Sequence, residues 1–151
     1  MRVSAKADYA IRAMVELAAA GDGPVKAERI AQAQEIPPKF LENIMADLRQ
    51  GGLVRSQRGT DGGYWLAKPA DQVSLADVIR AVEGPLANVR GRGAEELVYA
   101  GTAGPLRDVW VAVRASLRSV LERVSLADVA GGSLPGIVGE LTASDDAWLR
   151  R

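Results

Sequence analysis

Cysteine and histidine are both missing from the 151 residues of this chain. Without cysteine there are no disulfides and no thiolate metal sites, and the redox compartment is unmarked. Without histidine the commonest general base and imidazole metal ligand are gone as well. The remaining acids and bases are carboxylates, Lys and Tyr, and none forms a recognisable catalytic pair or metal spacing, so neither enzymatic activity nor a cofactor is expected. The run Arg90–Gly93 lacks a preceding strand and a following Gly-Lys-Ser/Thr, and reads as a loop rather than a phosphate cradle. Charge of one sign is missing too: 19 basic residues balance 19 acidic ones. Any attraction to a polyanion must therefore be local, with the first 68 residues only slightly basic. No apolar run of about eighteen residues exists, which excludes a membrane-spanning helix. Lys6, Asp8, Arg12 and Glu16 interrupt the first twenty residues, unlike a signal peptide, and a cytoplasmic protein is the expectation.

What is present is helical periodicity. Ser4 is placed to cap a helix from Ala5 to about Ala20, whose apolar positions Tyr9, Ala10, Ala13, Met14 and Leu17 share one face. A short helix over about Ala27–Ala33 buries Ile30 and Ala31. After the turn Gln34–Ile36, Pro37 and Pro38 open a third helix, where a missing N–H does no harm. Leu41, Ile44, Met45 and Leu48 form its buried stripe; Lys39, Glu42, Asn43, Ala46, Asp47 and Gln50 face outward. Gly51-Gly52 stops it, and two strands follow around a Gly59–Gly63 turn, with Leu53, Val54, Tyr64 and Leu66 as core contacts.

Two short helices followed by a basic hairpin is the order of a winged helix-turn-helix. That order predicts a mainly α fold with a small β-hairpin wing, plus a long helix beyond it. The helix would enter a major groove and the wing would meet the backbone or minor groove. Arg58 is the choice for minor-groove or phosphate contact, and Arg55 for phosphate or solvent. Thr60 and the N–H groups of glycines such as Gly59 can meet phosphate oxygens. On the third helix, Asn43 can read adenine and Glu42 can accept from cytosine, although an exposed Glu can equally be plain solvation. Lys39 stands beside them. Ser4, Lys6 and Tyr9 crowd the positive end of the first helix, where a phosphate is favoured; Ser4 as a cap and Tyr9 as core are compatible readings.

Beyond Pro69, VSLADV occurs at Val73–Val78 and again at Val124–Val129. Each copy sets a Ser three residues ahead of an Asp, a capping-box spacing, and is read as two helices that start alike rather than as a repeat. Gly84–Gly104 reads as a long, irregular, glycine-rich loop. A long helix over about Leu106–Arg123 follows, with Leu106, Val109, Trp110, Val113, Leu117, Val120 and Leu121 on one stripe. Arg107, Arg114, Arg118 and Arg123 are expected opposite. A twofold-related copy of the same helix would bury that stripe. The expected regions are residues 1–83 for DNA binding, 84–104 as an effector-type loop, 105–130 for dimerisation and 131–151 as a tail.

MRVSAKADYAIRAMVELA, LENIMADLRQGGLVRSQRGTDGGYWLAKP and SLADVIRAVEGP resemble, in order and spacing, the Rrf2 family of bacterial winged-helix transcription regulators (the IscR, NsrR and CymR kind). The resemblance is close over about Met1–Leu86 and looser beyond. It implies a homodimeric, sequence-specific regulator, expected to be a repressor, on a roughly palindromic double-stranded operator. It also implies that Glu42, Asn43 and Arg58 take part in DNA recognition. Many relatives hold an iron–sulfur cluster through three cysteines in the loop matching Gly84–Gly104, sometimes with an acid at the position of Asp8. This chain has Asp8 but no cysteine, so no cluster is expected. Glu35 stands where a glycine is common, and Phe40 where Tyr is frequent. Control by a protein partner, such as a cysteine-biosynthesis enzyme of the O-acetylserine sulfhydrylase type, and control by a small molecule near Tyr99 and Trp110 are both open. A winged helix used only for protein contacts is the rival reading.

Overall fold

The computed structural model describes residues 1–151. Helix α1 (Ala5–Ala20) starts where Ser4 accepts a hydrogen bond from the Ala7 N–H at 3.0 Å, and ends at Gly21 with φ 70°. Its buried face is Ala7, Ala10, Ala13, Met14 and Leu17. Three of these five are alanines, so neighbouring helices can approach the α1 backbone closely. Around α1 pack α2 (Ala27–Gln34), α3 (Pro38–Gln50), α4 (Leu75–Glu83) and α6 (Leu126–Gly131).

The turn between α2 and α3 is fixed by backbone geometry. Glu35 is left-handed (φ 52°, ψ 44°) and its N–H returns to the Ala31 carbonyl. Ile36 is buried, and Arg12 Nη1 donates to the Gln34 carbonyl at 2.7 Å, a cation on the negative end of α2. Pro37 and Pro38 begin α3 as expected. Its buried stripe is Leu41, Ile44, Met45 and Leu48, and Glu42, Asn43 and Ala46 are exposed.

Strands β1 (Val54–Gln57) and β2 (Gly63–Leu66) form an antiparallel hairpin in which Arg55 faces Trp65 and Ser56 faces Tyr64. Leu53 and Val54 are buried, while Tyr64 and Leu66 pack partly buried against the core.

Both VSLADV copies are true capping boxes, Ser74 with Asp77 and Ser125 with Asp128. They also pair with each other. The Leu75 N–H donates to the Val124 carbonyl and the Leu126 N–H to the Val73 carbonyl, each at 2.9 Å. This two-bond bridge brings Leu126, with no exposed surface, into the core cluster built by α1–α4.

The segment Gly84–Gly104 is more ordered than its composition suggests. It contains 3-10 turns at Ala94–Glu96 and Gly101–Ala103 and a bridge between Val89 and Arg92. Arg90 and Gly91 both take positive φ, as a type I′ turn requires. Leu86, Ala94 and Leu97 are buried.

Helix α5 (Leu106–Leu121) has no fully buried residue. Leu106, Trp110, Val113, Leu117, Val120 and Leu121 are half-buried, and Val109 is 50% exposed. The Trp110 indole N–H donates to the Tyr99 hydroxyl at 3.0 Å, so this edge of the stripe is partly occupied by the chain's own loop. Arg114 is not opposite the stripe. It lies one turn from Trp110, on the loop side, and pairs with Glu95. The Glu95 backbone N–H and then Arg114 hold that carboxyl below its ordinary pKa. At the far end of α5, Arg80 and Arg118 both hydrogen-bond Glu122 and hold its carboxyl low, tying α5 to α4. Beyond α6, the tail forms α7 (Gly136–Thr142) and a 3-10 turn at Asp145–Trp148, joined by the Trp148 indole N–H on the Thr142 carbonyl.

Because Ala13 is completely enclosed, Ala13→Leu is expected to destabilise the fold by about 1–3 kcal/mol through overpacking. Urea unfolding checks this; an unchanged midpoint would refute the close approach at that position.

Candidate nucleic-acid interface

The outward face of α3 and the tip of the hairpin carry the polar residues singled out in the sequence, and most of them have no partner in the chain. Lys39, Glu42, Asn43, Arg55, Arg58 and Thr60 are exposed and make no side-chain hydrogen bond or ion pair. Glu42 and Arg58 line one crevice, where α3 meets the wing. Lys39 and Asn43 line a shallow groove with Lys6 and Phe40, where α3 meets the start of α1.

The wing is held in place by contacts across long sequence distances. Val25, just ahead of α2, pairs with Tyr64 through two backbone hydrogen bonds of 2.8 Å, adding a one-residue third strand to the hairpin. Lys26 Nζ donates to the Gly59 carbonyl at 2.6 Å, and Arg49 Nη1 to the Ser56 hydroxyl at 3.2 Å. The α2 start and the α3 end thus each grip the wing. Two glycines at the start of β2 have no room for a side chain, and one of them admits Val25. At Gly63 (φ 147°) a Cβ would lie 2.6 Å from the Val25 carbonyl oxygen, and at Gly62 it would collide with the Gln57 carbonyl. The tip from Arg58 to Asp61 stays exposed.

The residues at the start of α1 are more committed. The Ser4 hydroxyl caps α1 and also donates to Glu83, so a carboxylate already stands at that helix end. Lys6 pairs with Asp47 of α3 at 2.7 Å. Tyr9 lies edge-on to Phe40, with ring centroids 6.0 Å apart, and beneath the Arg12 guanidinium at 4.8 Å. Arg12 in turn reaches Asp8 at 3.0 Å. Lys26 and Arg49 did not stand out in the sequence, because their partners lie 33 and 7 residues away.

A family model described as an iron-dependent transcriptional regulator, Rrf2, matches residues 3–132. The chain belongs to the Rrf2 family. An HTH-type transcriptional regulator of Mycobacterium tuberculosis is 56% identical over 142 residues, covering 93% of this chain and 88% of the relative. The HTH-type regulator CymR of Bacillus subtilis is 35% identical over 131 residues, 86% of this chain and 90% of that one. Among solved structures, CymR, described as the global cysteine regulator of B. subtilis, aligns with a TM-score of 0.74 at 33% identity, covering 87% of this chain and 98% of that one. IscR of T. potens aligns with a TM-score of 0.71 at 31% identity, covering 100% and 93%. The protein is therefore an Rrf2 transcriptional regulator, in a family of regulators rather than enzymes.

The iron in the Rrf2 family description does not fit the donors of this chain. It offers no thiolate and no imidazole, and no three potential ligands gather anywhere. The Asp8 carboxylate is engaged by Arg12.

Gly63→Ala should cost about 1–3 kcal/mol, because the residue needs positive φ and sits against the Val25 carbonyl. Amide exchange at Val25 and Tyr64 should accelerate with the loss; unchanged protection would show that the third strand does not depend on this glycine.

Proposed function

We propose that the protein binds double-stranded DNA as a homodimer and represses transcription from a roughly palindromic operator. The observation that carries this reading is the unpartnered set Lys39, Asn43, Arg55 and Arg58 on α3 and a wing braced from two sides. A residue with no partner in the folded chain gives up no internal contact when it meets a phosphate or a base. In this arrangement Asn43 and Glu42 read base edges, Lys39 and Arg55 meet phosphates, and Arg58 enters the minor groove with Gly59 and Thr60 on the backbone. The start of α1 contributes less, since Ser4, Lys6 and Tyr9 already have partners. A dimer seated across an operator would exclude other proteins from it, which is how repression would follow.

Exposed surface supports the dimer. A compact monomer of 16.0 kDa exposes about 7,400 Å². This chain exposes 9881 Å². The apolar stripe of α5 is part of that excess, and a symmetric copy of the same helix would cover it. Two reading helices would then stand roughly 34–36 Å apart, one DNA turn. The input would act at the junction of Gly84–Gly104 with α5, through a small molecule or a protein partner.

Titration with upstream DNA at several salt concentrations tests the reading. Binding should weaken steeply with salt, because released counterions drive it. Arg58→Ala should weaken binding, and Asn43→Ala should cost about 1–3 kcal/mol of discrimination at one base pair. No binding to any upstream duplex at low salt would sink the proposal. Sedimentation tests the dimer separately. Val109→Asp, at a site already half-exposed in one chain, should yield folded monomers; a persistent dimer would place the interface elsewhere.

A further inference from the structure

Phe40 is the one large apolar side chain left exposed on the outward side of α3, at 51% of its surface. It occupies the first turn of the helix, the end that enters a groove. It is also held. Tyr9 braces the ring edge-on at 78°, Arg12 lies over Tyr9, and Arg12 is fixed by Asp8 and the Gln34 carbonyl. A phenyl ring has no donor or acceptor for a phosphate, so its exposure gains nothing from the DNA backbone. Thymine alone among the bases offers the major groove an apolar group, its C5-methyl. Asn43, one turn further along the same groove, carries the amide suited to adenine.

Resting on the DNA-binding reading above, we propose that Phe40 is a specificity determinant that packs on the C5-methyl of one thymine in each half-site. The braced ring and the Asn43 amide together favour a thymine near an adenine within each half-site.

The test begins with duplexes selected from a random pool by the full-length wild-type protein. Each thymine of the selected site is then replaced singly by deoxyuridine, which removes only the methyl. One thymine per half-site should show about four-fold weaker binding, the value of one buried methyl group. Phe40→Ala should bind thymine and deoxyuridine sites equally, while Phe40→Leu should keep part of the difference. Wild-type binding that is indifferent to every methyl overturns the proposal without needing any variant. So does a Phe40→Ala protein that retains the full four-fold discrimination. Failure of the random pool to yield any bound duplex is a different result: it overturns DNA binding itself, and this inference with it.

Discussion

The fold depends on how closely other elements can approach α1. Ala7, Ala10 and Ala13 leave its buried face almost flat, and α2, α3, α4 and α6 all close on that one helix. Met14 and Leu17, also buried, complete that face. A bulkier face would hold the surrounding helices further out and loosen every contact that aims α3. The hydrophobic cluster is small for the chain, with 18 buried residues, and much of the remaining apolar surface lies on α5 and the tail. Close packing around α1 therefore has to supply much of the rigidity of the α1–α4 unit.

Rigidity in the wing comes from elsewhere. A two-stranded hairpin is marginal by itself in water. Here it borrows Val25 as an extra strand, Lys26 on the tip carbonyl and Arg49 on β1. The bracing cations are spent on internal acceptors, whereas Arg55 and Arg58 are left free. This division separates side chains that place the wing from those available to a ligand. It also shows how a chain with no net charge can offer a local positive surface.

Much of this was legible in the sequence. Period and capping gave α1, the proline pair gave the start of α3, and the Ser–Asp spacing gave both capping boxes. The glycine pair marks the hairpin; Gly62 is required by the Gln57 carbonyl across the turn, but the reason for Gly63, the close approach of Val25, depends on a contact 38 residues distant and has no local signature. The pairing of the two VSLADV copies was equally invisible, since a repeated hexapeptide does not say that its copies meet. Gly84–Gly104 is mostly irregular, as its glycine content suggests, but that content hides two short 3-10 turns and the burial of Leu86, Ala94 and Leu97. Periodicity alone puts Arg114 on the outer side of α5, because it carries no sign of where the loop that supplies Glu95 will lie.

The paired VSLADV segments make the molecule a closed circuit. The chain leaves the core at α4, runs out through the loop, returns along α5 and is stitched back beside its point of departure by two backbone bonds. The loop end of α5 is held through Tyr99 and Glu95, and its other end through Glu122 and Val124. Both ends of α5 are thus tied within the chain, one to the Gly84–Gly104 segment and the other to α4.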